Sequence, residues 1–254
     1  MAEVCSAGFE VLFEDEYFLA VAKPAGLLTQ APLGIDSLEY RVKQFLAQRD
    51  AIQGNVYLGV PHRLDRPVSG AIVFARTLKA AQRISKQFES RRVEKTYWAL
   101  VEGSFEPNAG TWTDSLKKIE GEPRTIVTTN EDPAGLVAIL HYRLLNSNTC
   151  GPALTADGSL PATSSLLQIT LETGRTHQIR VQCATRGHPL LGDEMYGSRF
   201  SFGPPSADQR ERLIALHART LRFWHHFARD FVTVTATLPD YWTTAGINQP
   251  AEPT

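Results

Sequence analysis

An aspartate between two arginines is the feature of this sequence that is best suited to chemistry. Asp65 lies between Arg63 and Arg66, and Pro67 and Gly70 then break the chain before an apolar run of strand length. Arginine keeps its proton in proteins, and a permanent cation within reach favours the charged form of a carboxylate. A carboxylate that stays ionised when a ligand excludes water can act as a nucleophile rather than as a proton donor. The alternative is a surface turn residue that pairs with arginine.

The elements that position this loop are predicted to be short strands with a few helices between them. Because the apolar run over 71–75 is typical of a buried strand, Asp65 is predicted to lie in a loop that feeds a sheet. The other predicted strands cover 9–13, 18–22, 93–103, 110–113, 124–129, 135–145, 166–171, 216–223 and 231–238. Predicted helices begin at Asp36 or Ser37, at Thr77 and at Thr176, and end near 48, 91 and 187, with a fourth over 208–215.

Residues 62–70, His-Arg-Leu-Asp-Arg-Pro-Val-Ser-Gly, resemble the H-R-L-D-R-x-T-S-G signature of RluA-type pseudouridine synthases. Val68 departs from it by replacing threonine, which predicts a lost hydrogen bond but not lost catalysis. Residues 93–103 resemble the family's K-x-Y-x-A-x-V-x-G strand. Residues 173–180 and 187–193 resemble T-G-R-T-H-Q-I-R and G-H-P-x-x-G-D, and 216–223 resemble L-H-A-x-x-L-x-F. The resemblance covers about 9–238, nearly the whole chain.

The resemblance implies roles for three residues. Asp65 is implied as the catalytic nucleophile, Arg180 as the cation that pairs with it, and Tyr97 as the ring that stacks on the target uracil and takes part in proton removal. The alternative for Tyr97 is a core tyrosine. Lys23 lies in a stretch that resembles K-P-x-G-L, which borders the active site in the family. It is predicted to be a solvated turn lysine, with a contact residue as the alternative. His177 and Arg180 are three apart and are predicted to share a helix face.

Residues that contact the RNA substrate are predicted around the same blocks. Arg175 and His177 either contact phosphate or support their loop. The outer face of the second helix is either simply solvated or neutralises phosphates. The predicted set is Arg63, Arg66, Arg83, Lys86, Arg91, Arg92, Lys95, Arg175 and His177. Because the net charge of the 254 residues is −1, any basic surface must be local.

The fold implied by the resemblance is α+β: a pseudouridine synthase fold with a mixed, mostly antiparallel sheet, flanking helices and a central cleft. One catalytic domain is expected over 1–247, with a flexible insertion over about 146–165 and a disordered tail over 248–254. Few residues precede the first predicted strand, so the S4 RNA-binding domain of many such enzymes is expected to be absent.

The implied reaction isomerises uridine to pseudouridine in a structured RNA, an rRNA or tRNA stem-loop. It needs no cofactor, and no dinucleotide loop, P-loop or metal-ligand spacing is found. His225-His226 invites a metal, but no further ligand stands nearby at suitable spacing. Three scattered cysteines, no signal peptide and no membrane-length apolar run favour a cytoplasmic protein, by default a monomer.

Two other classes of function remain open at this point. The first is an RNA-binding or RNA-folding protein without turnover. Asp65, Tyr97 and Arg180 argue against it, because binding alone requires no buried acid in an anionic groove. The second is a carboxylate-based glycoside hydrolase, which needs two carboxylates at a set separation. No second acid stands out in the matched motifs.

Overall fold

The computed structural model describes residues 7–147, 163–244, 246 and 247, which fold into two compact units. Unit 1 contains Met1–Lys95 and Ala218–Thr237, and unit 2 contains Thr96–His217 and Leu238–Thr254. The single domain over 1–247 stays a prediction.

The described residues form strands and helices close to the predicted positions. The strands are β1 (Glu10–Glu14), β2 (Phe18–Lys23), β3 (Ser69–Ala75), β4 (Glu94–Glu102), β5 (Ala109–Lys118), β6 (Thr125–Thr128), β7 (Leu136–Ser147), β8 (Ser164–Leu171), β9 (Leu216–His225) and β10 (Asp230–Thr235). The helices are α1 (Leu38–Arg49), α2 (Leu78–Glu89), α3 (Gln178–Thr185) and α4 (Asp240–Thr244), with a 3₁₀ turn at Glu194–Tyr196. None of the helices in these ranges is long and apolar enough to cross a membrane.

In unit 1 the strands follow the order β1-β2-β3-β9, and β10 pairs with β9. Every residue of β3 is buried, as expected for an apolar run that is covered on both faces. β2 and β3 are antiparallel, with Lys23 opposite Gly70. The segment after Lys23 and the loop before β3 therefore leave the sheet at the same end. Gly70 has φ +122°, and a Cβ there would lie 2.2 Å from the carbonyl oxygen of Ala218, so glycine is required.

The two long helices of unit 1 start at predicted caps. Ser37 Oγ accepts a hydrogen bond from the Tyr40 N–H, and Thr77 Oγ1 accepts one from the Ala80 N–H. Ile84 of α2 packs into the unit 1 core with Phe18, Val73, Phe223 and other apolar residues.

In unit 2 the strand order is β4-β8-β7-β5-β6. β4 and β8 are antiparallel, with Tyr97 opposite Ile169. One apolar cluster gathers Leu100, Leu166 and Trp242, and a smaller one lies under α3.

Several local predictions were wrong. α3 begins at Gln178, and its N-cap is His177 in the left-handed region at φ +53°, not Thr176. His177 therefore precedes the helix instead of sharing its face with Arg180. Residues 208–215 form turns without a helix. The ends of the predicted insertion belong to β7 and β8, while 148–162 and the predicted tail lie outside the described residues.

Candidate active site

The backbone on the N-terminal side of Asp65 is held by one buried hydroxyl. Thr29 Oγ1 accepts a hydrogen bond from the Leu64 N–H at 3.1 Å and donates one to the Leu64 carbonyl at 2.8 Å. Thr29 is 2% exposed, so water does not compete for these bonds. After Asp65, the Val68 N–H donates to the Asp65 carbonyl at 3.1 Å and closes a turn. Since that bond uses backbone atoms, it does not depend on the Val68 side chain.

The backbone on the C-terminal side is held by the segment that follows β2. The Arg66 carbonyl accepts hydrogen bonds from the Gly26 N–H at 2.8 Å and from Lys23 Nζ at 3.2 Å. Both neighbours of the half-buried Asp65 are thus fixed by residues 23–29. This double attachment limits how far the carboxylate can move and preorganises the loop.

Lys23 is not the solvated lysine that the sequence predicted. It is 1% exposed, and its Nζ also donates to the carbonyls of Pro24 and Leu27, at 2.9 and 2.6 Å. Three carbonyls match the three protons of an ammonium. Burial lowers the pKa of Lys23 to about 7, against an opposing effect of Asp65 and a further lowering by Arg66. Local sequence gave no sign of this role, because the Arg66 acceptor lies 43 residues away.

The lowered pKa of Lys23 predicts a pH-dependent stability. Between pH about 7 and the ordinary value of 10.5, the unfolded chain keeps a proton that the folded chain has lost, so the free energy of unfolding rises with pH. The slope approaches about 1.4 kcal/mol per pH unit. Denaturant unfolding should be measured for wild type and Lys23→Met across this range. The free energy of unfolding of wild type should rise relative to that of Lys23→Met as the pH rises. If the unfolding free energies of the two proteins instead change with pH in parallel, the three carbonyls keep the Lys23 ammonium charged.

Removing the Thr29 hydroxyl should loosen the Asp65 loop. Thr29→Val keeps the shape of the side chain but leaves both polar groups of Leu64 without their partner, at a cost of about 1–3 kcal/mol in unfolding free energy. Thr29→Ser keeps the hydroxyl and is the matched control. We expect kcat to fall in Thr29→Val and to recover in Thr29→Ser, with KM changing less. Equal kcat values in the two variants would contradict a positioning role.

His62 joins the start of the loop to the unit 1 scaffold. Its Nε2 accepts a hydrogen bond from the Val73 N–H at 3.1 Å, and its ring stacks on Phe88 of α2 with centroids 4.6 Å apart. Burial, with a smaller effect of Lys95, lowers the pKa of His62 to about 3. His62 is therefore neutral, with its proton on Nδ1, and supports the loop instead of exchanging protons.

In unit 2, Arg180 forms a buried bidentate ion pair that the sequence analysis did not predict. Its Nε donates to Asp193 Oδ2 at 2.7 Å and its Nη2 to Asp193 Oδ1 at 2.8 Å, and the two side chains are 5% and 1% exposed. Two parallel bonds fix the plane of a guanidinium as well as its position. Asp193 is the last residue of the G-H-P-x-x-G-D block, to which no role had been given.

Tyr196 completes the surroundings of Arg180. The Arg180 guanidinium carbon lies 5.0 Å from the centroid of the Tyr196 ring, within cation–π range. The Tyr196 hydroxyl lies 2.9 Å from His177 Nδ1 and accepts a bond from the Thr125 N–H. Burial is the main cause that raises the pKa of Tyr196. His177 therefore has a supporting contact within unit 2.

Arg175 also forms hydrogen bonds within unit 2. Its Nε donates to the Val137 carbonyl at 2.9 Å, and its N–H donates to Gln178 Oε1 at 3.0 Å. The same Gln178 oxygen accepts from Thr173 Oγ1 at 2.8 Å. Of the two readings for Arg175, these contacts favour support of the loop.

The other predicted site residues lie on β4 or at the surface of unit 1. Tyr97 is 9% exposed on β4, and Lys95 is half-buried, with its pKa lowered by burial and by Arg91. Arg66 is half-buried, and its buried Nε has no hydrogen-bond partner within the described ranges. The remaining predicted RNA-contact residues of unit 1 are exposed: Arg63, Arg83, Lys86, Arg91 and Arg92.

The His225-His226 pair has a structural explanation. The Ala228 N–H donates to His225 Nδ1, so the ring proton is on Nε2, which lies 2.6 Å from Asp15 Oδ2. Within the described part of the chain, no cluster of three histidine, cysteine, aspartate or glutamate side chains is suited to a metal.

Comparison with known proteins identifies the family. A protein-family model described as RNA pseudouridylate synthase matches residues 17–185, more than half of the chain. The uncharacterized RNA pseudouridine synthase YhcT of Bacillus subtilis is 32% identical over 231 residues, which cover 91% of this chain and 68% of that protein. The chain belongs to the RNA pseudouridylate synthase family. Enzymes of this family isomerise uridine to pseudouridine in RNA, which confirms the predicted reaction class and RNA as the substrate.

Further relatives and solved structures agree with this assignment. The tRNA pseudouridine synthase C of Vibrio parahaemolyticus is 32% identical, with 92% of each chain covered. The ribosomal large subunit pseudouridine synthase D of Xylella fastidiosa is also 32% identical, but the chain spans only 66% of its length. The structures of human RNA pseudouridylate synthase domain containing 1 and 4 match with TM-scores of 0.70 and 0.69 at 24% and 21% identity, covering 97% and 92% of this chain and 90% of each of those chains. They confirm the predicted α+β pseudouridine synthase fold.

Proposed function

We propose that this chain isomerises uridine in a structured RNA with Asp65 as the nucleophile. The observation that carries the proposal is the double attachment of the Asp65 loop, through Thr29 on one side and through Lys23 and Gly26 on the other. A carboxylate that must reach one carbon atom of a nucleotide benefits from such a fixed position.

The proposed reaction conserves all atoms of the substrate. The N1–C1′ bond breaks, the uracil turns, C5 bonds to C1′, the C5 proton leaves and N1 is protonated. Attack of Asp65 at uracil C6 and attack at ribose C1′ both begin with an anionic carboxylate. The target uridine must leave its stack, which costs a few kcal/mol. Asp65 is half-buried, so part of its side chain can be reached by a nucleotide.

Arg180 is proposed to stabilise the Asp65 anion and to aim it. Its bidentate pair with Asp193 supports this role, because a guanidinium fixed in its plane offers donors in a set direction. Asp193 would then be a positioning residue that acts through Arg180.

Tyr97 is proposed to stack on the extruded uracil and to accept the C5 proton. Stacking on an aromatic ring contributes about 1–3 kcal/mol per base. Tyr97→Phe keeps the ring and removes the hydroxyl, so we expect kcat to fall by about 10²–10⁴-fold with little change in KM. Tyr97→Trp is a control that keeps a stacking ring of another shape. Wild-type kcat in Tyr97→Phe would contradict the role of the hydroxyl as base.

The RNA target is proposed to be an rRNA or tRNA stem-loop, in line with the names of relatives that act on both. The predicted phosphate contacts of Arg63, Arg66 and Lys95 should make binding salt-dependent. Arg175 and His177 are proposed to act mainly by supporting their loop. A monomeric, metal-free, cytoplasmic enzyme stays a prediction.

RNA that carries 5-fluorouridine distinguishes turnover from binding alone. Fluorine replaces the proton that must leave C5, so an enzyme that attacks the nucleotide should yield a rearranged or covalently trapped product. We expect this product with wild type and none with Asp65→Asn. Binding without any product would favour an RNA-binding protein, and release of free base or sugar would favour a hydrolase.

A further inference from the structure

The basic residues on the outer face of α2 differ from several other cations of unit 1. Elsewhere in that unit, arginines form ion pairs with carboxylates, such as Arg41 with Asp36 and Arg49 with Glu14. Within the described ranges, no carboxylate forms an ion pair with the cations that lie on α2, on the turn after it and on the β9–β10 turn. These cations are Lys79, Arg83, Lys86, Arg91, Arg92 and Arg229.

The β9–β10 turn is joined to α2 by side-chain contacts. Gln87 of α2 is 5% exposed; its Nε2 donates to the Trp224 carbonyl and its Oε1 accepts from the Trp224 N–H, both at 2.9 Å. Lys79 Nζ and the Arg83 guanidinium carbon lie 5.7 and 5.6 Å from the centroid of the Phe227 ring. The helix and the turn therefore form one surface, called the α2–hairpin surface below.

Phe227 and His226 add an aromatic and a titratable group to this surface. Phe227 stacks on Tyr17, with ring centroids 3.7 Å apart and planes 5° apart. Partial desolvation and the nearby charges of Arg83 and Arg92 lower the pKa of His226, so its neutral form predominates at pH 7. Three acids lie at or near this surface: Glu89 is the exposed last residue of α2, Asp230 follows Arg229, and Glu16 interacts with Tyr17.

The α2–hairpin surface is continuous with the loop that carries Asp65. His62 at the start of that loop stacks on Phe88 of α2 and interacts with Lys95, which in turn interacts with Arg91. α2 has 12 residues and is therefore about 18 Å long, more than one nucleotide can cover. Cations that form no ion pair with a carboxylate along that length suit a chain of phosphates.

We propose that the α2–hairpin surface binds the phosphate backbone of the substrate RNA outside the target nucleotide. This inference rests on the proposed function and extends it. It states that the RNA next to the target nucleotide binds at α2 and the β9–β10 turn. Lys79, Phe227 and Arg229 belong to this surface, although the sequence motifs did not single them out.

The test compares two RNA probes under a range of salt concentrations. One is an unmodified tRNA transcript. The other is a single-stranded oligouridylate that is too short to reach the α2–hairpin surface when one of its uridines lies at the Asp65 loop. Lys79→Gln/Arg229→Gln should weaken binding of the tRNA on the order of tenfold and lower the slope of log affinity against log salt by about 0.7–0.9 per lost contact. Binding of the oligouridylate should not change.

A matched pair of substitutions controls for loss of charge alone. Lys118→Gln/Arg210→Gln removes two exposed cations of unit 2 that form no ion pair within the described ranges. This variant should bind tRNA like wild type. Equal salt slopes in both double variants, or equal losses on both probes, would overturn the proposal. Conversion of a tRNA uridine by wild type is measured in parallel. Its absence would contradict this tRNA as the proposed target without affecting the binding comparison.

Discussion

Asp65→Asn should lower kcat on RNA by three orders of magnitude or more while RNA binding persists. Asparagine has the same shape as aspartate, but it is neutral and is not a nucleophile. Losing a group that forms the covalent intermediate typically costs on the order of 10⁴–10⁶ in kcat. Pseudouridine formation under single-turnover conditions measures the effect, and a gel-shift assay with the same RNA measures binding.

Two further variants make the Asp65 result specific. Glu120→Gln is the same carboxylate-to-amide change at an exposed position, and it should keep wild-type turnover. Asp65→Glu keeps the carboxylate but displaces it by one methylene. Its activity should therefore fall between that of Asp65→Asn and that of Glu120→Gln. Normal turnover in Asp65→Asn would contradict the nucleophile role.

Asp193→Ala should destabilise the protein by about 3–5 kcal/mol. The substitution leaves the Arg180 guanidinium, in a residue that is 4% exposed, without the two acceptors that compensate its desolvation. Urea unfolding measures the loss. Asp193→Asn keeps one acceptor oxygen, so it should fold better yet still show reduced kcat, because Arg180 loses its fixed plane.

An exposed ion pair close in the sequence provides the control for Asp193. Glu194 pairs with Arg212, with side chains 54% and 38% exposed. Glu194→Ala should cost no more than about 1 kcal/mol, since solvent screens such pairs. Equal costs for Asp193→Ala and Glu194→Ala would mean that the buried pair does not stabilise the fold in this way.

The sequence predicted those features that depend on neighbouring residues. Ser37 and Thr77 cap their helices because a cap bonds to a backbone group three residues ahead. The strand after Gly70 was predicted because its apolar run is continuous. The loop of Asp65 was found through a long motif whose types and spacing are both unusual.

Features that depend on distant residues were missed. Lys23 was expected in solvent, because the carbonyl of Arg66 becomes its acceptor only when β2 and β3 pair. Thr29 and Asp193 were given no role, since their partners are 35 and 13 residues away. Thr176 has the composition of a cap, but the left-handed conformation of His177 starts α3 one residue later.

Carbodiimide mapping of total RNA tests the central claim most directly. Three otherwise identical strains are compared: one with the wild-type gene, one without it and one that carries Asp65→Asn. We predict pseudouridine signals at one or a few uridines in the first strain, and their absence from the other two. Signals at the same uridines in the Asp65→Asn strain would contradict the claim that this carboxylate carries the reaction.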